Sequence, residues 1–493
     1  MPPDGVDAAR VKTGIQGLDA VLDGGLPSRR VHLVQGSPGA GKTTLALQFL
    51  LEGARQGEKC LYISLSETRE EVEAVAASHG WKLGDVIVFE ASRMGAEDEN
   101  TLFEPSEVEL GERMDTILST VSKVEPRRLV LDSCTELRLL AHTPVRYRRQ
   151  ILSLKQRLVE ANRTVLLLDN PAPGSPDVLL QSLAHGVITL EQLHPEFGGE
   201  RRRLQITKMR GVSYHGGYHD YLIKTGGLVV FPRVVAAQHR TGRTTEPFPS
   251  GVTALDALLG GGLDRGTSTL VMGPSGSGKS TFASLFARAC ANRGERAAVF
   301  LFDEARETLL SRLRGIGMDL APHVKAARIA VQQVDPAELS PGEFLQRVRA
   351  AADDEDCSVI VIDSVNGLLQ AMPDENFVML QLHDLLMYLG QKGVLTLLIV
   401  AEHGIVGKPL SGPADVSYLA DSVVLIRYFE AEGAVRKAIS VVKKRTGAHE
   451  STIREYEITT AGIRVGPPLT GFHGVLTGTP TYGPANAEKG SAK

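Results

Sequence analysis

Two stretches of this sequence have the residue types and the spacing of a phosphate-binding loop. Residues 36–44 read GSPGAGKTT and residues 273–281 read GPSGSGKST, so both fit the pattern G-x-x-x-x-G-K-[ST]. Each follows an apolar, strand-like run and precedes a helical pattern, which is the context that the motif requires. The candidate nucleotide-binding residues are Gly36, Ser37, Pro38, Gly39, Ala40, Gly41, Lys42, Thr43 and Thr44, and Gly273, Pro274, Ser275, Gly276, Ser277, Gly278, Lys279, Ser280 and Thr281.

The chemistry predicted for these loops is the binding of ATP together with Mg²⁺. Glycines let backbone N–H groups point at phosphate oxygens, and the N-terminus of the following helix adds positive potential. Lys42 and Lys279 would reach the β- and γ-phosphates, while the hydroxyls of Thr43 and Ser280 would bind Mg²⁺. Two matches in one chain are not expected by chance, so we predict a nucleotide site in each half.

A carboxylate for the metal ion is expected at the end of a neighbouring buried strand. The runs RLVLDS and VIVIDS supply Asp132 and Asp363, which follow the loop lysines by 90 residues (132 − 42) and 84 residues (363 − 279). Aspartate often ends a strand simply as a turn residue. Its placement after a phosphate loop favours a metal ligand, so Thr43 with Asp132 and Ser280 with Asp363 are the predicted magnesium ligands.

Hydrolysis requires a base that orients the attacking water, and acidic residues follow the second strand-like run of each half. YISLSETREE offers Glu67 after Ser66, and FLFDEARET offers Asp303 and Glu304. Carboxylates at this end of an open α/β sheet face the ligand crevice. The same residues also fit the acidic first turn of a helix. Catalysis is the preferred interpretation in the second half, and both interpretations stay open in the first.

Both sets of residues lie in an internal duplication. TGIQGLDAVLDGGL at 13–26 matches SGVTALDALLGGGL at 250–263, and these segments share one offset of 237 residues with the loop lysines (279 − 42). Each half is long enough for one α/β domain. We predict an N-terminal domain over residues 1–235, a linker over 236–249, a C-terminal domain over 250–480 and a flexible tail over 481–493.

The rhythm of apolar runs predicts the fold class. In each half, short apolar runs such as VHLVQG, TVLLLDN and SVIVIDS alternate with longer helical patterns. That alternation is typical of an α/β domain with a mostly parallel sheet flanked by helices. Each half then ends in a pair of strand-like runs, GVITLEQL with RRLQITKMRG and SVVLIRYFE with RKAISVVKKR.

Composition bounds the class of protein. The 493 residues include 54 Lys and Arg against 58 Asp and Glu, so neither nucleic acid nor an anionic membrane is an expected partner. The four cysteines lie too far apart for a metal or redox motif. The N-terminus lacks the apolar core of a signal peptide, and no apolar run is long enough to span a bilayer. We expect a soluble, cytoplasmic protein.

The chain resembles the KaiC family, the double-domain ATPases of the RecA superfamily. The resemblance rests on the T-G-x-x-G-L-D opening, the G-G-L before the phosphate loop, the two pairs of loop and aspartate, and the doubled domain. It covers roughly Val11 to Pro480. It implies two tandem RecA-like P-loop NTPase domains that form a hexameric double ring, with ATP between adjacent subunits.

The resemblance also implies residues that act on a neighbouring subunit. In KaiC, a Lys and an Arg near the end of each domain approach the neighbour's γ-phosphate, and the matching residues here are Lys208, Arg210, Lys443 and Arg445. A cation at that place would stabilise the charge that develops on the γ-phosphoryl group. The alternative is the solvated basic end of a β-hairpin.

KaiC also phosphorylates an adjacent Ser and Thr of its second ring, and the aligned residues are Ser417 and Tyr418. Tyrosine in place of threonine argues against a two-site cycle and leaves Ser417 as the phosphorylation candidate. In the first domain Ser66 replaces the first of two catalytic acids, whereas the second domain keeps both. We therefore expect slow hydrolysis or an assembly role in the first ring, and the chemistry in the second.

Three functions compete at this point. The first is an ATPase with serine autokinase activity in signalling or timing, working with clock-type regulatory proteins. The second is a nucleotide-gated scaffold ring with little turnover, which Ser66 and Tyr418 favour. The third is a DNA recombinase or helicase, as other RecA relatives are. The acidic net charge and the lack of a basic, aromatic single-strand platform argue against the third.

Overall fold

A computed structural model describes most of the chain. The described residues are 9–91, 106–141, 143–160, 162–171, 178–194, 199–234, 246–370, 375–402, 416–475 and 481–482. The chain divides between Arg233 and Val234 into two compact units, the first unit and the second unit, each of which contains one phosphate loop.

The first unit alternates strands and helices. Its strands are β1 Arg10–Val11, β2 Leu26–Pro27, β3 Val31–Gly36, β4 Cys60–Ser64, β5 Val86–Glu90, β6 Arg128–Asp132, β7 Thr164–Asp169, β8 Gly186–Leu193, β9 Arg201–Met209, β10 Tyr218–Lys224 and β11 Gly227–Phe231. Its helices are α1 Leu18–Val21, α2 Lys42–Arg55, α3 Arg69–Ser78, α4 Ser106–Val124, α5 Cys134–Ala141, α6 Pro144–Glu160 and α7 Val178–Leu183.

The second unit repeats this order with three differences: an extra helix, α11, precedes β16, a 3₁₀ turn replaces α7, and a short C-terminal hairpin, β23 with β24, is added. Its strands are β12 Pro247–Phe248, β13 Leu263–Asp264, β14 Ser268–Pro274, β15 Arg296–Leu301, β16 Ile329–Gln333, β17 Cys357–Asp363, β18 Leu395–Glu402, β19 Ser422–Ala431, β20 Ala434–Lys444, β21 Arg454–Thr459, β22 Gly462–Pro468, β23 Phe472–His473 and β24 Thr481–Tyr482. Its helices are α8 Thr253–Leu258, α9 Lys279–Asn292, α10 Arg306–Gly315, α11 Ala321–Lys325, α12 Pro341–Asp353, α13 Val365–Gln370 and α14 Glu375–Gln391, with a 3₁₀ turn at Val416–Tyr418.

Each unit is built on one nine-stranded sheet, and the two sheets have the same topology. The order is β11-β10-β9-β8-β3-β7-β6-β4-β5 in the first unit and β22-β21-β20-β19-β14-β18-β17-β15-β16 in the second. Six strands, from β8 to β5 and from β19 to β16, run parallel, and the other three continue as an antiparallel meander. The predicted fold, a tandem pair of mostly parallel α/β domains, is confirmed.

The central strands are buried on both faces because their successive side chains enter two different cores. In β7, Leu166 and Leu168 pack with α2 on one face, whereas Val165 and Leu167 pack with α6 on the other. Such strands are continuous apolar runs instead of alternating ones, which is why the sequence showed them clearly. None of the described helices is long and apolar enough to cross a membrane.

Candidate functional sites

The first phosphate loop joins the end of β3 to the start of α2. Gly41 precedes the helix with a φ of 90°, a left-handed conformation that glycine adopts without strain. The ammonium group of Lys42 donates to the carbonyls of Gly36 and Ser37, both at 2.9 Å, so the side chain curls back over the loop. Burial lowers the pKa of Lys42, and the nearby Asp132 opposes that shift.

The second loop has the same construction between β14 and α9. Gly278 precedes the helix with a φ of 104°, and the ammonium group of Lys279 donates to the carbonyl of Pro274 at 2.8 Å. Ser277 is fully buried, and its hydroxyl has no hydrogen-bond partner among the described residues. A buried polar group without a partner is costly. The hydroxyl therefore needs a polar ligand, which a phosphate group would supply.

The predicted metal-binding residues come together in both units. Thr43 donates to the Asp132 carboxylate at 3.1 Å, and Tyr62 donates to the same oxygen at 2.5 Å. Ser280 hydrogen-bonds to Asp363, and burial raises the pKa of the Asp363 carboxyl. In both units the peptide bond after this aspartate is cis.

These residues fit Mg²⁺ only as part of a nucleotide complex. No group of three or more His, Cys, Asp or Glu that could hold a metal occurs among the described residues. Magnesium is commonly bound by one or two carboxylates plus substrate phosphates. A hydroxyl and a carboxylate beside a phosphate loop match that chemistry, and a metal ion without a nucleotide would lack ligands.

Glu67 lies beside the first loop and does not serve as a helix cap. Thr68 and Glu71 form the capping box of α3. Capping the helix, the alternative role for this acidic run, is therefore carried out by these two residues and not by Glu67. One carboxylate oxygen of Glu67 is buried without a hydrogen-bond partner among the described residues. Burial, and then the negative charge of Asp132, raise the pKa of Glu67. A raised pKa makes Glu67 a stronger base than an ordinary carboxylate, which suits a general base.

The acids of the second unit have partners. The Ser364 hydroxyl donates to Asp303 at 2.6 Å. Glu304 accepts two hydrogen bonds from Arg312, at 3.1 Å from Nε and 2.8 Å from a terminal nitrogen. The other terminal nitrogen of Arg312 donates to the Thr281 hydroxyl of the phosphate loop at 2.9 Å. The N-cap of α10 has no side-chain hydrogen bond, so neither acid caps that helix.

The Lys and Arg expected to act on a neighbour lie away from the loop of their own unit. In the first unit Lys208 pairs with Val187 near the start of β8. The start of β8 lies beside the start of β3, whereas the phosphate loop follows the end of β3. The Lys208 ammonium donates to the carbonyl of Gln181 at 2.6 Å, and Arg210 donates to that of Ser182 at 3.1 Å.

The second unit repeats these contacts at the phosphorylation candidate. The Lys443 ammonium donates to the carbonyl of Ser417 at 3.0 Å and to that of Ala420 at 2.8 Å. Arg445 donates to the carbonyl of Tyr418 at 3.4 Å. Ser417 thus lies in a 3₁₀ turn whose backbone is bound by the two cations that the sequence singled out.

The duplication is matched by a known family over both halves. A family model described as the KaiC ATPase matches residues 11–235 and, a second time, residues 248–470. The chain belongs to the KaiC ATPase family. This confirms the resemblance, and it identifies the protein as an ATP-binding P-loop ATPase with tandem domains.

Circadian clock proteins are among its relatives in the KaiC family. The circadian clock oscillator protein KaiC of Synechococcus elongatus is 28% identical, over 96% of this chain and 92% of that protein. The protein of the same name from Acaryochloris marina is 26% identical, over 97% of this chain and 92% of its own length. The circadian clock protein KaiC3 of Synechocystis is also 26% identical, over 97% of this chain and 95% of that protein.

Sequence reasoning did not identify three residues that the structure adds to these KaiC-family sites. Tyr62 contacts the predicted metal ligand Asp132, Ser364 contacts Asp303, and Arg312 joins Glu304 to the loop. Tyr62 is part of an apolar strand and Arg312 lies on a charged helix, so neither carries a motif. Only Ser364 carried a signal, because it directly follows the aspartate in VIVIDS.

Proposed function

We propose that both loops bind Mg²⁺–ATP and that the protein hydrolyses it. One observation carries the proposal: in each unit a loop lysine, a hydroxyl–aspartate pair and a further acid lie at the carboxyl ends of neighbouring parallel strands. Mg²⁺, held by Thr43 with Asp132 and by Ser280 with Asp363, would neutralise charge on the phosphate oxygens.

Glu67 in the first site and Asp303 with Glu304 in the second are the proposed catalytic acids. Each would orient the attacking water and accept its proton. The catalytic assignment of the second site follows the sequence, since only that site has two acids. The first site keeps Glu67 alone and would serve mainly to hold the assembly together.

We further propose a homo-hexameric double ring in which Lys208 and Arg210, or Lys443 and Arg445, approach the γ-phosphate of an adjacent subunit. Their separation from the loop of their own unit supports a role in trans. Cations there would stabilise charge that develops during phosphoryl transfer. The names of the relatives support a role in signalling or timing with regulatory partner proteins.

Serine autophosphorylation at Ser417 is the second proposed activity. The contact of the Ser417 carbonyl with Lys443, at 3.0 Å, supports it because that lysine is the one proposed to reach a neighbour's nucleotide. The transfer would move the γ-phosphoryl group to the serine oxygen, release ADP, and pass the hydroxyl proton to a nearby carboxylate.

One incubation tests both activities. Purified protein is mixed with Mg²⁺ and γ-labelled ATP, and free phosphate and label retained on the chain are followed together. Free phosphate alone defines an ATPase without kinase activity. Retained label that disappears in Ser417→Ala assigns the autokinase, while label that persists there contradicts that site. Bound ATP with neither product would leave the nucleotide-gated scaffold.

A further inference from the structure

The second site contains an arginine that pairs with its proposed catalytic acid and with Thr281, whereas in the first site the equivalent threonine, Thr44, hydrogen-bonds to His79 at 3.3 Å. Glu67 directly precedes the N-cap of α3, and Glu304 directly precedes the N-cap of α10. The residue eight positions further along is Val75 in the first unit and Arg312 in the second. Val75 packs against the hydrophobic core of its unit. Arg312 extends instead to Thr281 in the first turn of α9.

Arg312 uses all three of its nitrogens at this place. Nε and one terminal nitrogen bind the two carboxylate oxygens of Glu304, and the other terminal nitrogen binds Thr281. Bidentate pairing of a guanidinium with a carboxylate fixes the plane of both groups. Glu304 therefore has both of its oxygens engaged, and its position is tied to the first turn of α9.

A base held in this way is less free to turn toward a water molecule. In hydrolysis the water oxygen forms a bond to the γ-phosphorus, the bond to the β-phosphate oxygen breaks, and the base takes the water proton. The pair with Arg312 occupies one lone pair on each oxygen of Glu304 and fixes the plane of the carboxylate. Glu304 can therefore turn toward the water only when at least one of its two contacts with Arg312 opens.

We propose that Arg312 is a positioning residue that restrains Glu304, so that the second site hydrolyses ATP only when this ion pair releases one carboxylate oxygen. The inference rests on the proposed function of Glu304. The pair is suited to opening because it is partly exposed, with 37% of the arginine and 24% of the glutamate side chain accessible. Its contact with Thr281 makes the loop the place where a bound nucleotide would act on the restraint.

The test uses the full chain with Glu67→Gln, which removes the base of the first site and keeps its loop intact. We compare this background with Arg312→Ala and Arg312→Lys added. Because a partly exposed pair of this kind is a weak restraint, loss of Arg312 should raise kcat about threefold to fivefold and change KM less than about twofold. Lysine, which cannot pair through two parallel N–H groups, should give an intermediate rate.

Two further variants keep the proposal open to contradiction. Adding Glu304→Gln to Arg312→Ala should abolish the gain, whereas a gain that survives would overturn the restraint. An unchanged or lower kcat in Arg312→Ala would overturn it as well. Arg314→Ala is the matched control, since Arg314 lies on the same helix, is 65% exposed and pairs only loosely with Asp319 at 4.0 Å.

Failure of the proposed function would look different. If Glu67→Gln/Glu304→Gln hydrolyses ATP as fast as the unaltered chain, the assignment of the bases is wrong. If the Glu67→Gln background is silent, Arg312→Ala should make phosphate release measurable, and continued silence contradicts the restraint. Binding of a fluorescent ATP analogue to each variant shows whether it is folded.

Discussion

Glu67 and Glu304 occupy equivalent places in two units with the same sheet order, yet their surroundings differ. Glu67 has one buried oxygen without a hydrogen-bond partner among the described residues, and its pKa is raised. Both oxygens of Glu304 are held by Arg312. The sequence assigned the chemistry to the second unit by counting acids. The contacts show that the single acid is the less restrained one.

The difference teaches where a duplicated site diverges. The two phosphate loops share the same features, because each has a glycine in the left-handed conformation before its helix and a lysine that donates to loop carbonyls. Divergence lies in the side chains that reach the acids and the metal ligand. Tyr62 binds Asp132 in the first unit, and Ser364 binds Asp303 in the second.

The largest expected effect separates binding at the two loops. Lys42→Ala and Lys279→Ala should each lower ATP affinity at their own site by about 100-fold or more, because a buried cation that would face the phosphates is lost. If the first ring holds the assembly, Lys42→Ala should also dissolve hexamers, and Lys279→Ala should leave them intact. Titration calorimetry and light scattering measure the two outcomes, and the opposite pattern would reverse the assignment.

The sequence was sufficient for the fold class and for the location of the loops. Strands such as β3, β6 and β17 were visible because burial on both faces makes them continuous apolar runs. The edge strands β5 and β16 were not identified, since only some of their residues are buried. The contact of Arg312 with Thr281 depends on how α10 packs against α9, which spacing along one chain does not encode.

The next effect concerns the acid in the first site. In a Glu304→Gln background, Glu67→Gln should lower kcat roughly 10²-fold, within the range for loss of a general base. Glu67 must be deprotonated to act, and its raised pKa means that it protonates above the ordinary value of about 4.3. The rate should therefore fall on acidification with a midpoint above that value. A flat profile down to about pH 4.5 would remove Glu67 from the mechanism.

Transplanting the restraint should make the sites more alike. Val75→Arg would place a guanidinium in the first unit where the second has Arg312. In a Glu304→Gln background it should lower kcat about threefold to fivefold, with KM nearly unchanged. Ala74→Arg adds the same charge at an exposed position of the same helix and serves as control. Equal effects of the two variants would mean that charge alone, and not pairing with Glu67, is responsible.

The smallest effect tests the electrostatics of the proposed trans residues. The backbone N–H of Arg210 donates to the His185 carbonyl, and that of Arg445 donates to the Asp421 carbonyl. His185 and Asp421 therefore occupy equivalent places in the two units. Asp421 brings a carboxylate to within 3.9 Å of Arg445. In the first unit burial, and then the cations Lys155, Arg30 and Arg210, lower the pKa of His185 to about 4, so it is neutral at pH 7.

His185→Asp would therefore give the first unit the counter-charge of the second. The side chain at this place accepts from a backbone N–H in both units, from Val31 at 3.4 Å and from Ser268 at 3.1 Å, so aspartate should fit. We expect the ATP concentration for half-maximal assembly to rise about threefold, because one negative charge competes with phosphate for the cations. Arg157→Leu, on the exposed face of α6, changes net charge equally and should have no such effect. If both variants weaken assembly to the same degree, overall charge governs assembly and the local difference between the units does not.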